Sequence, residues 1–182
     1  CQKLQISFHS ESIDIPKFSK TLKQSIETTA RTKRYEKLFQ YCKNIDSNFL
    51  VTAHNANDLV ETVIMNFTRG SGLRGLKGIV LEREIDDIKL IRPLINIQRK
   101  DIESYLNQNG IKPRIDSSND DIQYTRNNIR KNTLPILEKL NPGLQENLLQ
   151  LSKISLEIDD YFQEKITFHL KKLIISTNLD KS

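Results

Sequence analysis

The stretch from Phe49 to Phe67 places the strongest constraint on the fold of this 182-residue chain. A continuous apolar run, Phe49–Ala53, is followed at once by His54 and then by an amphipathic helical pattern over Leu59–Phe67. A short run that is apolar at every position is typical of a strand buried inside a parallel sheet. The stretch therefore predicts a buried strand with a histidine at its carboxyl end, followed by a helix that packs on the sheet.

Two further strands and one long helix are predicted around this stretch. Lys3–Phe8 alternates between apolar and polar residues, and Ile88–Ile91 is a third candidate strand. Phe18–Tyr41 has apolar residues at helical spacing and no proline. The order of strand, helix, strand, helix, strand predicts an α/β fold with a parallel sheet. Because three short strands are few for such a sheet, we expect further central strands upstream of Cys1.

The sequence predicts helices in the second half of the chain. Helices are predicted over Arg99–Asn109 and Tyr124–Leu140, with a turn cluster at Asp116–Asp121 between them. Apolar residues keep helical spacing from Leu144 almost to the C-terminus. We expect an α/β domain over residues 1–141 and a helical connector over 142–182.

The cysteine content and the hydropathy of the chain limit its class. Cys1 and Cys42 show no CxxC or Cys/His spacing, which argues against a zinc or iron–sulfur site and fits a reducing compartment. No apolar stretch reaches the roughly 20 residues of a membrane span. The sequence therefore predicts a soluble, cytoplasmic protein without a membrane segment and without a protein-ligated metal.

His54, Asp58 and Glu61 form the first candidate site. His54 lies at the carboxyl end of a predicted strand, which is where open α/β sheets bind ligands. Asn55 is placed to cap the next helix, with Asp58 completing a capping box, and Asp58 and Glu61 share one helical face. The two carboxylates either complement the helix dipole or bind a cation, such as an amine or magnesium.

Two stretches without acidic residues, Arg69–Lys77 and Ile122–Leu137, carry the second set of candidates. The net charge of +5 says little by itself, but local basic stretches are typical of phosphate contact as well as of solvated helix faces. The glycines in the first stretch match a dinucleotide fingerprint in letters only, because a helix and not a strand precedes them. They indicate either a phosphate-binding loop or a helix C-terminus followed by a turn.

Five motifs, taken together, closely resemble the tRNA(Ile)-lysidine synthase family of N-type ATP pyrophosphatases, the PP-loop superfamily. They agree with that family in order and spacing. The motifs are ARTKRY (Ala30–Tyr35), TAHNANDLVET (Thr52–Thr62), RGSGLRGLKGI (Arg69–Ile79), RPL (Arg92–Leu94) and DSSNDDIQYTRNNIR (Asp116–Arg130).

The resemblance implies a Rossmann-like, PP-loop catalytic domain followed by a connector to a tRNA-binding region. It implies that ATP, with Mg²⁺, adenylates C2 of the wobble cytidine in tRNA(Ile) with a CAU anticodon. L-lysine then attacks and forms lysidine, which changes decoding from AUG to AUA. The resemblance also allows a homodimer.

The resemblance assigns a role to each matching side chain. His54, Asp58 and Arg126 are implied to be catalytic. Asp58 and Glu61 are implied to bind lysine, and two carboxylates can bind an ammonium group. The remaining implied roles are ATP binding by Arg34 and Arg126, and tRNA binding by Arg69, Arg74 and Arg130.

Some positions depart from the family pattern. Asn55, Asn57 and Leu59 stand where the family commonly has histidine, aspartate and glutamine. The SGGxDS phosphate loop of the family is not among these residues, so we expect this chain alone not to adenylate tRNA. Two alternatives stay open: a tRNA thiolation enzyme of the same superfamily, and a non-catalytic tRNA-binding fragment.

Overall fold

The computed structural model describes residues 1, 4–114 and 121–179, with side chains as far as residue 173. Its helices and strands, from the N-terminus onwards, are α1 (Ile15–Leu22), α2 (Ile26–Asn44), β1 (Phe49–Val51), α3 (Ala56–Thr68), α4 (Leu73–Leu76), β2 (Glu82–Ile85), β3 (Ile88–Ile91), α5 (Arg99–Gln108), α6 (Thr125–Asn128), a π-helical turn (Ile129–Thr133), α7 (Leu134–Leu140) and α8 (Leu144–Leu179).

The chain divides into two compact units, which consist of residues 1–50 with 85–89 and of residues 51–84 with 90–182. In the first unit α1 packs against α2, and His9 stacks on Tyr41 with the ring centroids 4.3 Å apart. The predicted division at residue 141 stays a prediction.

The single helix predicted over Phe18–Tyr41 is wrong, because α1 and α2 are separate helices. Lys23 adopts a left-handed conformation with φ of +52°, which ends α1. Ser25 then caps α2 by accepting a hydrogen bond from the backbone N–H of Thr28. Capping residues can interrupt an apolar pattern whose spacing alone would continue.

Among the residues that the structure describes, the sheet has three strands in the order β1-β3-β2. The Thr52 N–H donates to the Ile91 carbonyl and the Lys89 N–H to the Asn48 carbonyl, so β1 and β3 advance in the same direction and are parallel. The predicted α/β class and the presence of the predicted strands at Phe49 and Ile88 are therefore confirmed. The prediction that the Phe49 strand is buried is wrong, because only Leu50 is buried while Phe49 and Val51 are exposed.

The strand β2 is one that the sequence analysis missed. It is joined to β3 by Asp86 and Asp87, whose φ angles of +48° and +63° make a tight hairpin. Aspartate tolerates this left-handed conformation, and a two-residue turn of this kind matches the twist of antiparallel strands. The Asp-Asp pair, which favours a turn, was the available signal.

The strand predicted over Lys3–Phe8 is wrong for the residues that the structure describes, since Leu4–Phe8 is not a strand. The apolar side chains of Leu4, Ile6 and Phe8 are all exposed. Alternation of apolar and polar residues shows only that a strand here would have one apolar face. A strand also needs a partner for its backbone hydrogen bonds.

Helix α3 is the centre of the second unit. Val60 and Ile64 pack with Ile129 and Leu134 from the later helices, while Leu59 and Val63 pack with Ile95. Leu148 and Leu149 of α8 contact both clusters. Two adjacent faces of α3 are covered, so its position relative to the later helices is fixed by apolar burial.

The helix predicted over Tyr124–Leu140 consists of α6, the π-helical turn and α7. In the π turn the Leu134 N–H donates to the Ile129 carbonyl, five residues back, and Pro135 follows without an N–H to donate. The turn predicted at Asp116–Asp121 lies outside the described residues except for Asp121. None of the helices in the described part has the length and apolar character that a bilayer crossing requires.

Gly78 provides a test of this packing. It has a φ of +61°, and a Cβ atom there would lie 2.6 Å from Cδ1 of Leu59. We expect Gly78→Ala to lower the free energy of unfolding by about 2–4 kcal/mol, because it adds overpacking to a left-handed backbone. Gly110→Ala is the control, since Gly110 has a φ of +63° and nothing within 4 Å of the added carbon. Urea unfolding measures both, and equal losses would contradict the packing argument.

Candidate functional site

His54 lies just beyond the carboxyl end of β1. The strand ends at Val51, and the following residue, Thr52, continues the pairing through its N–H to the Ile91 carbonyl. A hydrogen bond of 2.9 Å joins the Thr52 hydroxyl to Nδ1 of His54, whose side chain is half-buried. The imidazole is thereby oriented at the edge where α/β sheets bind ligands.

Asp58 takes part in the capping box that the sequence predicts. The side chain of Asn55 accepts from the Asp58 N–H at 3.2 Å, and Asp58 Oδ2 accepts from the Asn55 N–H at 2.9 Å. This confirms the structural interpretation of Asp58. It engages one carboxylate oxygen and leaves Oδ1 on the side of the later helices, 3.5 Å from Arg126.

Glu61 is a buried charge held by two guanidinium groups. Only 1% of the residue is exposed. Arg126 Nε donates to Oε2 at 2.7 Å, while Arg130 donates through Nε to Oε1 at 2.6 Å and through Nη2 to Oε2 at 3.0 Å. Both oxygens are satisfied, as a buried carboxylate requires. The Arg130 contact is a bidentate pair of the strong, charge-assisted kind.

The Arg126 guanidinium is held by a backbone carbonyl as well as by carboxylates. Its Nη2 donates to the Asp58 carbonyl at 2.9 Å and to the Thr62 hydroxyl at 3.3 Å. Thr62, which the sequence analysis did not select, accepts from Arg126 while its own hydroxyl donates to the Asp58 carbonyl. We call Asp58, Glu61, Arg126 and Arg130 the acid–arginine cluster; its two negative and two positive charges balance.

The later helices bring the two arginines to the same place. Arg126 lies on α6 and Arg130 in the π-helical turn, a local widening of the helix that is frequent at functional sites. The hydrogen bond to Glu61, opposed by burial and helped by the charges of Glu61 and Asp58, holds the pKa of Arg130 above its ordinary value. The guanidinium therefore stays charged at every pH at which the protein would be studied.

The three departures from the family pattern have structural roles here. Asn55 caps α3, and Leu59 is buried in the core. Asn57 accepts from the Arg99 N–H at 2.8 Å and donates to the side chain of Gln145 at 3.2 Å, so it links α3 to α5 and α8.

The glycine loop, residues 69–78, follows α3 and contains α4, and backbone geometry determines where its glycines stand. Gly70 follows the end of α3 with a φ of +73°, and a Cβ at Gly75 would overlap the side chain of Ser71. Asn66 Nδ2 closes the loop by donating to the Gly75 carbonyl at 2.7 Å. A helix C-terminus followed by a turn therefore accounts for these glycines, and the role of the loop in phosphate contact stays a prediction.

An ion-pair network ties this loop to α8. Asp159 contacts Lys77 Nζ at 2.6 Å and Arg74 Nε at 3.4 Å, and the Ser152 hydroxyl donates to the Lys77 carbonyl at 2.8 Å. The hydrogen bond from Lys77, with the charges of Lys77 and Arg74, holds the pKa of Asp159 below its ordinary value. Arg74 itself remains mostly exposed.

The other predicted site residues lie on other elements of the chain. Arg34 is on α2, in the first compact unit, so its contact with a nucleotide stays a prediction. Arg69 is exposed at the end of α3. Within the part of the chain that the structure describes, no three His, Cys, Asp or Glu side chains are grouped as metal ligands would be.

Comparisons with known proteins give one family and many relatives. A PP-loop domain model matches residues 1–137. The chain is similar to the tRNA(Ile)-lysidine synthases of Caldanaerobacter subterraneus, with 40% identity over 91% of this chain and 35% of that protein, and of Geobacillus kaustophilus, with 31% identity over 99% of this chain and 39% of that protein. The chain thus spans well under half of the length of these relatives.

A solved structure supports the fold alone. The U34-tRNA thiolase of Methanococcus maripaludis superposes with a TM-score of 0.52 at 21% identity, covering 70% of this chain and 43% of that one.

Asp159 gives a prediction about pH. Its folded-state pKa is lowered from an ordinary value of about 3.9, so its pair with Lys77 stabilises the protein above that pH and is lost as the pH falls through the lower folded-state value. We expect Asp159→Asn to lower the urea midpoint at pH 7 and to differ less from wild type as the pH approaches 3. Asp160→Asn, an exposed neighbour, is the control. A difference that stays constant down to pH 3 would contradict the assignment.

Proposed function

The chain belongs to the PP-loop domain family, and from this premise we propose that it is the PP-loop part of a tRNA(Ile)-lysidine synthase. The substrates are tRNA(Ile) with a CAU anticodon, ATP and L-lysine, and the product carries lysidine at the wobble position. We place this activity in the cytoplasm. The acid–arginine cluster is the observation that carries the proposal, because it offers guanidinium groups for phosphate and a carboxylate for an amine in one place.

The identities of 31–40% over nine-tenths or more of the chain support this proposal. The arrangement at the end of β1 supports it independently. His54 stands at the ligand edge of the sheet, and Asp58 belongs to the first turn of the helix that follows. A PP-loop enzyme that joins an amine to an activated base needs both an imidazole and a carboxylate near its nucleotide.

The reaction divides into two steps with different electrostatic needs. ATP first transfers its adenylyl group to the O2 oxygen of the cytidine, with release of pyrophosphate, and this makes O2 a good leaving group. The lysine side-chain amine then attacks C2, the C–O bond to the adenylate breaks, and AMP leaves. Guanidinium groups stabilise the phosphate charge of both leaving groups.

Arg126 is the residue that we assign to phosphate. Its side chain is 23% exposed, and the carboxylates of Glu61 and Asp58 hold it. We assign Asp58, 20% exposed, to the ammonium group of the incoming lysine, since its Oδ1 is engaged only at 3.5 Å or more. His54, held by Thr52, completes the catalytic set, and its imidazole is the group that could take a proton from the amine.

The donor set fits phosphate better than it fits a metal ion. Arginine side chains bind phosphate oxygens, whereas Asp58 and Glu61 already face guanidinium groups. We therefore propose that Mg²⁺, if it accompanies ATP, is held by the phosphates and by residues other than this pair. Arg34 and the exposed Arg69 and Arg74 stay assigned to ATP and tRNA respectively, and a homodimer stays a prediction.

The decisive experiment is lysine transfer. The natural protein containing these residues is mixed with ATP, labelled lysine and a tRNA(Ile) transcript with a CAU anticodon. We expect lysine to become covalently attached, and a transcript with a GAU anticodon to stay unlabelled. Labelling of neither transcript would overturn the proposal. Incorporation of sulfur would support the thiolation alternative, and salt-sensitive tRNA binding without a response to lysine would support a non-catalytic fragment.

Asp58→Asn tests whether Asp58 binds the side-chain amine of lysine. Loss of one charged hydrogen bond to an ammonium group costs about 1.5–3 kcal/mol, so we expect the KM for lysine to rise about 10- to 100-fold. Because the amine takes no part in adenylation, tRNA-dependent exchange of pyrophosphate into ATP should change little. Asp101→Asn, an exposed carboxylate near the start of α5, is the control. Equal loss of both steps would count against the assignment.

The chain on its own gives a further prediction. Its 182 residues include no SGGxDS phosphate loop. We expect the isolated chain to release no pyrophosphate from ATP in the presence of tRNA, since backbone N–H groups that cradle the polyphosphate are needed for adenylation. A phosphate-release assay measures this, and detectable pyrophosphate would contradict it.

A further inference from the structure

The two carboxylates of the acid–arginine cluster are not equivalent. Asp58 has a fifth of its side chain exposed, whereas Glu61 has 1%. Both oxygens of Glu61 accept hydrogen bonds from guanidinium groups at 2.6–3.0 Å. An ammonium group could approach Asp58 from solvent, but it could reach Glu61 only by displacing an arginine.

The arginines, in contrast, do not use all of their donors within the described part of the chain. Among the described residues, the side-chain hydrogen bonds of Arg126 and Arg130 use only Nε and Nη2. Their side chains are 23% and 29% exposed. Glu61 therefore holds Arg130 through Nε and Nη2 and Arg126 through Nε, while the Asp58 carbonyl and the Thr62 hydroxyl accept from Nη2 of Arg126. The remaining nitrogen of each guanidinium, Nη1, is what we call its outer donor, and it can bind an anion.

We propose that Glu61 is a positioning residue, which does not bind lysine but fixes Arg126 and Arg130 so that their outer donors bind the phosphate groups of ATP and of the adenylated tRNA. This inference rests on the proposed function for its substrates, and on the geometry alone for its anion site. The two carboxylates on α3 then have different roles. Asp58 binds the amine, and Glu61 orients the guanidinium groups that bind the phosphates.

A shift of about 1 Å in a group that contacts the reacting atoms can cost about 100-fold in rate. Glu61→Gln keeps the shape of the side chain but removes its charge, and its amide NH₂ would face guanidinium N–H groups. In the natural protein we expect tRNA-dependent exchange of pyrophosphate into ATP to fall about 10- to 100-fold, with the KM for lysine changing less than about threefold. Glu61→Asp, which keeps the charge, should recover part of the exchange rate.

The matched control is Glu103→Gln. Glu103 pairs with Arg99 at 2.9 Å on α5, but both side chains are more than half exposed. The same chemical change there should leave the exchange rate and the KM for lysine unaltered. If Glu61→Gln instead raises the KM for lysine 10-fold or more while exchange persists, Glu61 binds the amine and the proposal is wrong.

A combined variant tests whether Glu61 acts through the two arginines. If it does, adding Glu61→Gln to the Arg126→Lys/Arg130→Lys variant should slow exchange little beyond the slower of Glu61→Gln and the double arginine variant. Losses that multiply would overturn the proposal. Should Glu61→Gln fail to fold, as judged by circular dichroism, Glu61→Asp takes its place in the same comparison.

A binding measurement separates this inference from the proposed function. Inorganic pyrophosphate is titrated into the 182-residue chain and into its Glu61→Gln and Glu103→Gln variants by calorimetry. We expect binding that weakens at least about 10-fold in Glu61→Gln only. Absence of binding by the wild-type chain, or equal binding by all three, would overturn the inference. Glu61-dependent binding in a protein that fails to transfer lysine would retain the inference and reject the function.

Discussion

The buried carboxylate of Glu61 is the interaction on which the rest of the site depends. A charge that is 1% exposed costs several kcal/mol unless it is paired, and here two guanidinium groups pair with it. The pairing joins α3 to a segment 65–69 residues later in the chain. It therefore fixes the arginines relative to Asp58 and to the edge of the sheet, which is the arrangement that both the phosphate and the amine would need.

Backbone structure and apolar packing make this pairing available. The capping box of Asn55 and Asp58 sets where α3 begins, and apolar contacts cover two adjacent faces of the same helix. Ile129, one residue before Arg130, packs against Val60 and Ile64. The burial that anchors the π-helical turn therefore also places the Arg130 guanidinium beside Glu61. The Asp159 network fastens the glycine loop to α8 in the same unit.

Prediction from the sequence succeeded where the signal was local or where five motifs agreed. The capping box, the strand at Phe49 and the family resemblance, which the PP-loop match over residues 1–137 confirms, belong to this group. It failed where apolar spacing alone was followed, because spacing describes one face of an element and not its ends or its hydrogen-bond partners. Leu4–Phe8 is not a strand, Phe18–Tyr41 is interrupted by the cap at Ser25, and the Asp86–Asp87 turn was not recognised as a hairpin.

The sequence by itself determined the α/β class, the capping of α3 and the chemical types gathered near its start, because these follow from residue type and from spacings of one helical turn. Only the tertiary structure decided that Glu61 would be buried between Arg126 and Arg130 while Asp58 stayed partly exposed. The physical reason is that burial and charge pairing depend on which distant segments meet. Two carboxylates at positions i and i+3 look the same in the sequence until the helices that cover one of them are in place.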